Sequence, residues 1–143
     1  MGFKQIDVVP INSNGPTCTV PGNKEIREQL FQVKRADTVA VLKAIVPADA
    51  SIMTLNFFAN GNSNAGTTAT ITFNVTNNTG TLATGVVDVK GSGNTIALVQ
   101  MVGLPNLENI PLQGDISVTA VYAETGTVST VGGPWTVGVR FAR

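Results

Sequence analysis

The chain has 143 residues, a formal net charge of zero, 13% charged residues and no histidine. That length suits one domain with its own core, and so low a charged share, about half the globular average, leaves hydroxyls and amides to supply the polar surface. A neutral chain has no field to draw it onto nucleic-acid phosphates or an anionic membrane, and without histidine neither a Ser-His-Asp nor a Cys-His constellation can form.

Residues 1–22 read as an extended N-terminal arm, in which FKQIDVV is a candidate edge strand and PINSNGPTCTVPG has three prolines and two glycines in thirteen residues. Cys18, the only cysteine, excludes an internal disulfide and a multi-cysteine metal site, and reads as a small apolar residue with no base to activate it. The start of the chain lacks the basic-then-apolar pattern of a secretory signal, and no apolar run approaches the ~20 residues that span a bilayer, so synthesis in the cytoplasm is expected.

Residues 23–143 read as a single β-sandwich or jelly-roll domain. Its first segment, GNKEIREQLFQV, supports two readings. A short helix would be capped by Asn23 and bury Ile26, Leu30 and Val33 at i, i+4 and i+7; a strand would set Leu30, Gln32 and Lys34 opposite Phe31 and Val33. At most one short helix is expected in the chain.

Strands follow at TVAVLKAIV (38–46) and IMTLNFF (52–58), then at TTATITFNV, where Ala69, Ile71, Phe73 and Val75 alternate with Thr70, Thr72 and Asn74. Further strands are expected at LATGVVDV (82–89), DISVTAVYA (115–123) and WTVGVRFAR, the last with Trp135, Val137, Val139 and Phe141 on one side. The mostly apolar strands suggest burial on both faces. PADA, ANGNSNAG, NNTG, KGSG and ETG supply the turns, a spacing typical of an all-β sandwich or jelly roll. GLPNLENIPLQG (103–114) reads as a long irregular connection carrying Leu104, Leu107, Ile110 and Leu112.

No catalytic, cofactor-binding or metal-ligating residue is assigned. Asp88, Glu108, Asp115 and Glu124 stand apart in sequence beside strand ends or turns, where carboxylates usually bond local backbone. Lys34-Arg35, the one adjacent basic pair, reads as a solvated edge. Asn74 and Asn77 open matches to the glycosylation pattern, read as accidents of an Asn/Thr-rich stretch. The threonines of TTATIT read as the wet face of one strand, too few for a binding array.

The succession VAVLKAIVPADASIMTLNFFANGNSNAGTTATITF, then GVVDVKGSG, then DISVTAVYAETGTVSTVGGPWTVGVRFAR resembles the small head decoration, or cement, proteins of tailed bacteriophages. The resemblance spans roughly residues 38–143. It implies a β-sandwich or jelly-roll subunit on the exterior of the virion capsid that bridges major capsid protein subunits, with no catalytic residue. Composition fits a homo-oligomer, dimer or trimer, without nucleic-acid or membrane partners. Candidate contacts to capsid or neighbouring copies are Pro10, Ile11, Pro16 and Val20 in the arm and Leu104, Leu107 and Ile110 in the apolar connection. The alternative is a carbohydrate-binding or adhesive β-sandwich, of fibre or tail-tip type, with Trp135, Tyr122 and the Asn-rich turns lining a sugar site.

Overall fold

A computed structural model of the chain describes residues 25–47, 50–102 and 115–142. These form nine strands: β1 (Ile26–Val33), β2 (Val41–Val46), β3 (Ser51–Phe58), β4 (Thr68–Asn77), β5 (Gly80–Asp88), β6 (Ala97–Leu98), β7 (Met101–Val102), β8 (Ile116–Thr125) and β9 (Trp135–Ala142). Two antiparallel sheets result, one ordered β1-β9-β3-β6 and the other β2-β8-β4-β5-β7. Among the described residues there is no helix.

The order follows from one long hairpin rolled on itself. Strand β4 pairs with β5 across a tight turn, β3 with β6, β2 with β8 and β1 with β9, successive pairs falling in alternate sheets. That is the wrapping of a jelly roll, and the all-β two-sheet architecture is the one expected from the sequence, where the spacing suggests a sandwich or jelly roll. At the turn Asn77 Oδ1 accepts the Thr79 and Gly80 amides at 2.9 and 3.1 Å, a local Asx bond that closes the hairpin.

Period-two alternation decides which side chains enter the core. In β4, Ala69, Ile71, Phe73 and Val75 are fully buried, and across the gap Trp135, Val137, Val139 and Phe141 of β9 meet them with Leu55 and Phe57 of β3. Each large apolar side chain so enclosed contributes about 1.5–3 kcal/mol.

The helical reading of residues 23–34 is overturned over Ile26–Val33, which is a strand. Strand β1 pairs with β9 over all eight of its residues, from Trp135↔Val33 to Ala142↔Ile26. The ladder satisfies its backbone and turns Phe31 and Val33 inward, while Ile26 and Leu30, which a helix would have buried, face out. The expectation of strands buried on both faces is also corrected. Leu42 and Ile45 of β2 and Val86 of β5 stand exposed on the outer face of the five-stranded sheet.

Four connections, β1–β2, β3–β4, β5–β6 and β8–β9, gather at one end of the sandwich, joined by backbone bonds such as Ser63 N–H to Val89 O (2.8 Å) and Gly66 N–H to Thr127 O (2.8 Å). We call this the loop end. Ile26, Ile116 and Ala142 lie at the opposite end, beside Val46 and Ser51.

Candidate functional site: the loop end

The β3–β4 connection, ANGNSNAGT, carries asparagines at alternate positions 60, 62 and 64, and each ties it to another loop. Asn60 Nδ2 donates to Pro134 O. Asn62 Oδ1 accepts the Asn94 amide at 3.0 Å. Asn64 Oδ1 accepts the Thr130 amide at 2.8 Å and the Ser129 hydroxyl at 2.7 Å, and its Nδ2 donates to Thr130 Oγ1 at 3.1 Å. The Asn60 and Gly61 amides both donate to Gly93 O at 2.9 Å, and Lys90 Nζ donates to Ala65 O at 2.6 Å. Short amide side chains suit the task because each offers donor and acceptor at once without adding charge.

Beneath this lattice lie the chain's only tryptophan and only tyrosine. Trp135 and Tyr122 stack with centroids 5.4 Å apart and planes 14° from parallel. Both are buried, and Trp135 Nε1 donates to Gly61 O at 2.9 Å. Their rings face each other and the core, so the aromatic faces on which a sugar would stack are not presented to solvent. The sequence reading that lined a sugar site with these two side chains is corrected on that point.

Glu124 anchors the β1–β2 loop to the same cluster. Its Oε2 accepts from Arg35 Nη2 at 2.9 Å; its Oε1 accepts the Ser129 amide and the Tyr122 hydroxyl, both at 3.0 Å. Tyr122 also lies 3.2 Å from Ser63 Oγ. Arg35 is therefore committed to an ion pair rather than standing on a solvated edge. Nearby, Asp37 accepts the Lys34 amide at 2.8 Å and pairs with Lys43 at 2.6 Å, with both side chains largely buried.

The Arg35 guanidinium holds the Glu124 carboxyl below the usual range, burial opposes this, and the Ser129 amide and Tyr122 hydroxyl add to the lowering. For Asp37 burial pushes upward, but the Lys34 amide and Lys43 ammonium outweigh it and the carboxyl again sits low. Burial raises the Tyr122 phenol. A lowered Glu124 and a raised Tyr122, bonded to each other, favour the charged carboxylate and the protonated phenol at neutral pH.

A carboxylate held low in the fold stabilises it above the ordinary carboxylate range, and that contribution disappears as pH falls through the folded pKa. Glu124→Gln is therefore expected to lower stability at neutral pH and to flatten its decline on acidification. Urea midpoints measured from neutral pH down to about pH 3, below the ordinary carboxylate values, check this. Parallel profiles for wild type and variant would exclude Glu124 as a source of the acid sensitivity.

The other described carboxylates do not join this cluster. Asp88 Oδ1 accepts the Lys90 and Gly91 amides at 2.9 and 3.1 Å, a turn bond of the kind expected. Asp115 precedes β8 while Glu124 is near its far end, about 30 Å away at strand rise. Among the described residues no group of three His, Cys, Asp or Glu could hold a metal ion.

Among the exposed asparagines, threonines and serines of the loop end stand four aliphatic side chains. Val39 (70% exposed), Ile96 (73%), Val128 (64%) and Val131 (52%) stand on three of its loops, loops that the asparagine and Glu124 bonds tie together. None of the four was singled out from sequence. Val39 was read into the strand 38–46, which begins only at Val41, while Ile96, Val128 and Val131 stand in polar loops without a period, and only the fold brings these loops to one end. The residues that were singled out, Pro10, Ile11, Pro16, Val20, Leu104, Leu107 and Ile110, lie outside the described residues.

The fold and this end define a jelly-roll module with a cross-linked loop surface on which four aliphatic side chains stand. Compared with protein families, curated proteins and solved structures, the chain matches none.

Proposed function

We propose that this protein is a structural virion protein that decorates the outside of a tailed-phage capsid and cements it by bridging major capsid protein subunits. The observation that carries this reading is the loop end, where four exposed aliphatic side chains stand on loops already locked by internal hydrogen bonds. Loops ordered before binding lose little freedom on docking, so modest apolar contact yields net affinity. A contact of about 1,200–2,000 Å² per copy suffices, and repetition over a lattice multiplies it. The sequence resemblance supports the capsid as partner. Jelly rolls recur in capsid and lectin domains alike, so the fold alone does not choose between them; the buried Trp135–Tyr122 pair weighs against the sugar-binding reading.

The test is co-sedimentation of the purified chain with intact phage heads that lack it, followed by heating of the loaded heads. The wild-type chain is expected to pellet with the heads and raise the temperature at which they open. The double variant Val128→Asp, Val131→Asp, whose changes are both on the surface, is expected to bind at least tenfold more weakly, a difference of about 1.4 kcal/mol or more. Wild-type chain left wholly in the supernatant would overturn the reading, and equal binding by the double variant would remove the loop end from it.

A further inference from the structure

The outer face of the five-stranded sheet is a second surface, independent of the loop end. Its rows follow from the register. Thr68 lies beside Thr125, and Thr70 stands between Ala123 and Asp88. Thr72 stands between Val121 and Val86, Asn74 between Thr119 and Thr84, and Thr76 between Ser117 and Thr81. Strand β2 adds Leu42 beside Thr119 and Ile45 beside Ser117. The single strand of threonines seen in sequence is thus one column of a face four strands wide.

In these rows the one charged residue is Asp88 at the corner, whose Oδ1 is turned onto the Lys90 and Gly91 amides. The lysine nearest them, Lys43 at the bulge of β2 beside Leu42, has its ammonium paired with Asp37 at 2.6 Å and is largely buried. The face bares Leu42 (52% exposed), Ile45 (46%) and Val86 (54%), in strands whose apolar runs read as buried on both sides. The described residues of one copy cover only one of those sides.

We infer that a second copy of this chain covers this face, packed sheet to sheet about a twofold axis parallel to the strands. Neutrality favours a self-contact, because an isologous interface opposes each patch to its own copy and here meets no like-charge repulsion. Size agrees. Four strands about 4.8 Å apart and nine residues at about 3.4 Å give a face of roughly 20 by 30 Å, about 600 Å² per copy and so near the lower bound for a stable pair.

The axis follows from where the apolar groups lie. Rotation about a line parallel to the strands lays β2 of one copy over β5 of the other at the same height. Leu42 then meets the row of Thr84, one row from Val86, and the same contact repeats on the other side. Rotation about the perpendicular in-plane axis would put β2 on β2 with heights reversed and separate Leu42 from Val86. Sheets packed face to face keep their strands within about 30° of each other, which this arrangement allows.

The parallel axis also points both loop ends the same way. If those loops dock on a capsid as proposed above, the pair would engage two neighbouring sites at once. The dimer itself is tested without any capsid, so either idea can fail alone.

The experiment uses the full chain in sedimentation velocity. Wild type is expected to run as a dimer. Leu42→Lys and Val86→Glu, each made separately at surface positions, are expected to weaken it at least tenfold with unchanged circular dichroism. Mixing the two is expected to restore a dimer, because the ammonium introduced in one copy then faces the carboxylate introduced in the other, while the second contact stays native. A monomeric wild type would overturn the proposal. So would a dimer indifferent to both substitutions, and failure of the mixture to recover would overturn the axis.

Discussion

Replacing Trp135 with alanine is expected to remove about 3–5 kcal/mol of stability, the range for emptying a large buried aromatic site. Folds of this size hold about 5–15 kcal/mol in total, so the variant would keep a fraction of its margin. Three contributions vanish together. The indole is wholly buried, it stacks on Tyr122 at 5.4 Å, and its N–H satisfies Gly61 O at 2.9 Å. Because that bond fastens the β3–β4 loop to the start of β9, the loss falls on the core and the loop end at once. Trp135→Phe keeps most of the ring packing but leaves the Gly61 carbonyl without its donor, a deficit of about 1–3 kcal/mol. Urea unfolding followed by far-ultraviolet circular dichroism separates the two variants, and the melting temperature of the alanine variant should fall by roughly 10–15 °C. A loss under about 1 kcal/mol, the size expected of a surface change rather than a core deletion, would show that Trp135 does not sit in a packed site.

How much of this was legible in advance differs from strand to strand. β4 and β9 alternate strictly, so their inward residues could be named from the sequence, and all of Ile71, Phe73, Trp135 and Val137 are buried. β1 could not be settled, because Ile26, Leu30 and Val33 satisfy a helical stripe while Phe31 and Val33 satisfy a strand. The tie is broken by β9, more than a hundred residues away in register, and local propensity carries no information about such a partner. The loop end was illegible for the same reason. ANGNSNAG announces a turn, but Asn60 and Asn64 act on residues 74 and 66 positions further along the chain. The apolar content of β2 and β5 was visible, and its reading as double burial fails among the described residues, where only the inner face has a second sheet to cover it. The outward Leu42, Ile45 and Val86 are what that discrepancy leaves over, and the proposed second copy is one physical way to remove it.

The two glycines of the KGSG turn should respond differently to the same substitution, although nothing in their sequence separates them. A Cβ on Gly91 would meet only the Asp88 side chain, with Oδ2 at 3.2 Å. That carboxylate oxygen can swing toward solvent, so Gly91→Ala is expected to stay within about 0.5 kcal/mol of wild type, the range of ordinary surface changes. A Cβ on Gly93 would stand 2.2 Å from Gly61 O, 2.6 Å from Val89 O and 2.9 Å from Asn62 Cα. All three belong to backbone, on two different loops, and none can yield without moving its loop. Gly93→Ala is therefore expected to cost about 1–3 kcal/mol, the usual penalty for overpacking a close contact. It must also push Gly93 O away from the Asn60 and Gly61 amides that it now accepts at 2.9 Å. Hydrogen exchange should accordingly accelerate at those two amides in Gly93→Ala and not in Gly91→Ala, with the amides of β4 and β8 slower to respond because they lie in the centre of the five-stranded sheet. Unchanged exchange at Asn60 and Gly61 would mean that the β5–β6 loop is not what holds the β3–β4 loop in place. The same variant separates the two proposed surfaces: loosening the loop end should weaken attachment to phage heads, while the outer face of the five-stranded sheet, which Gly93 does not touch, should keep its dimer.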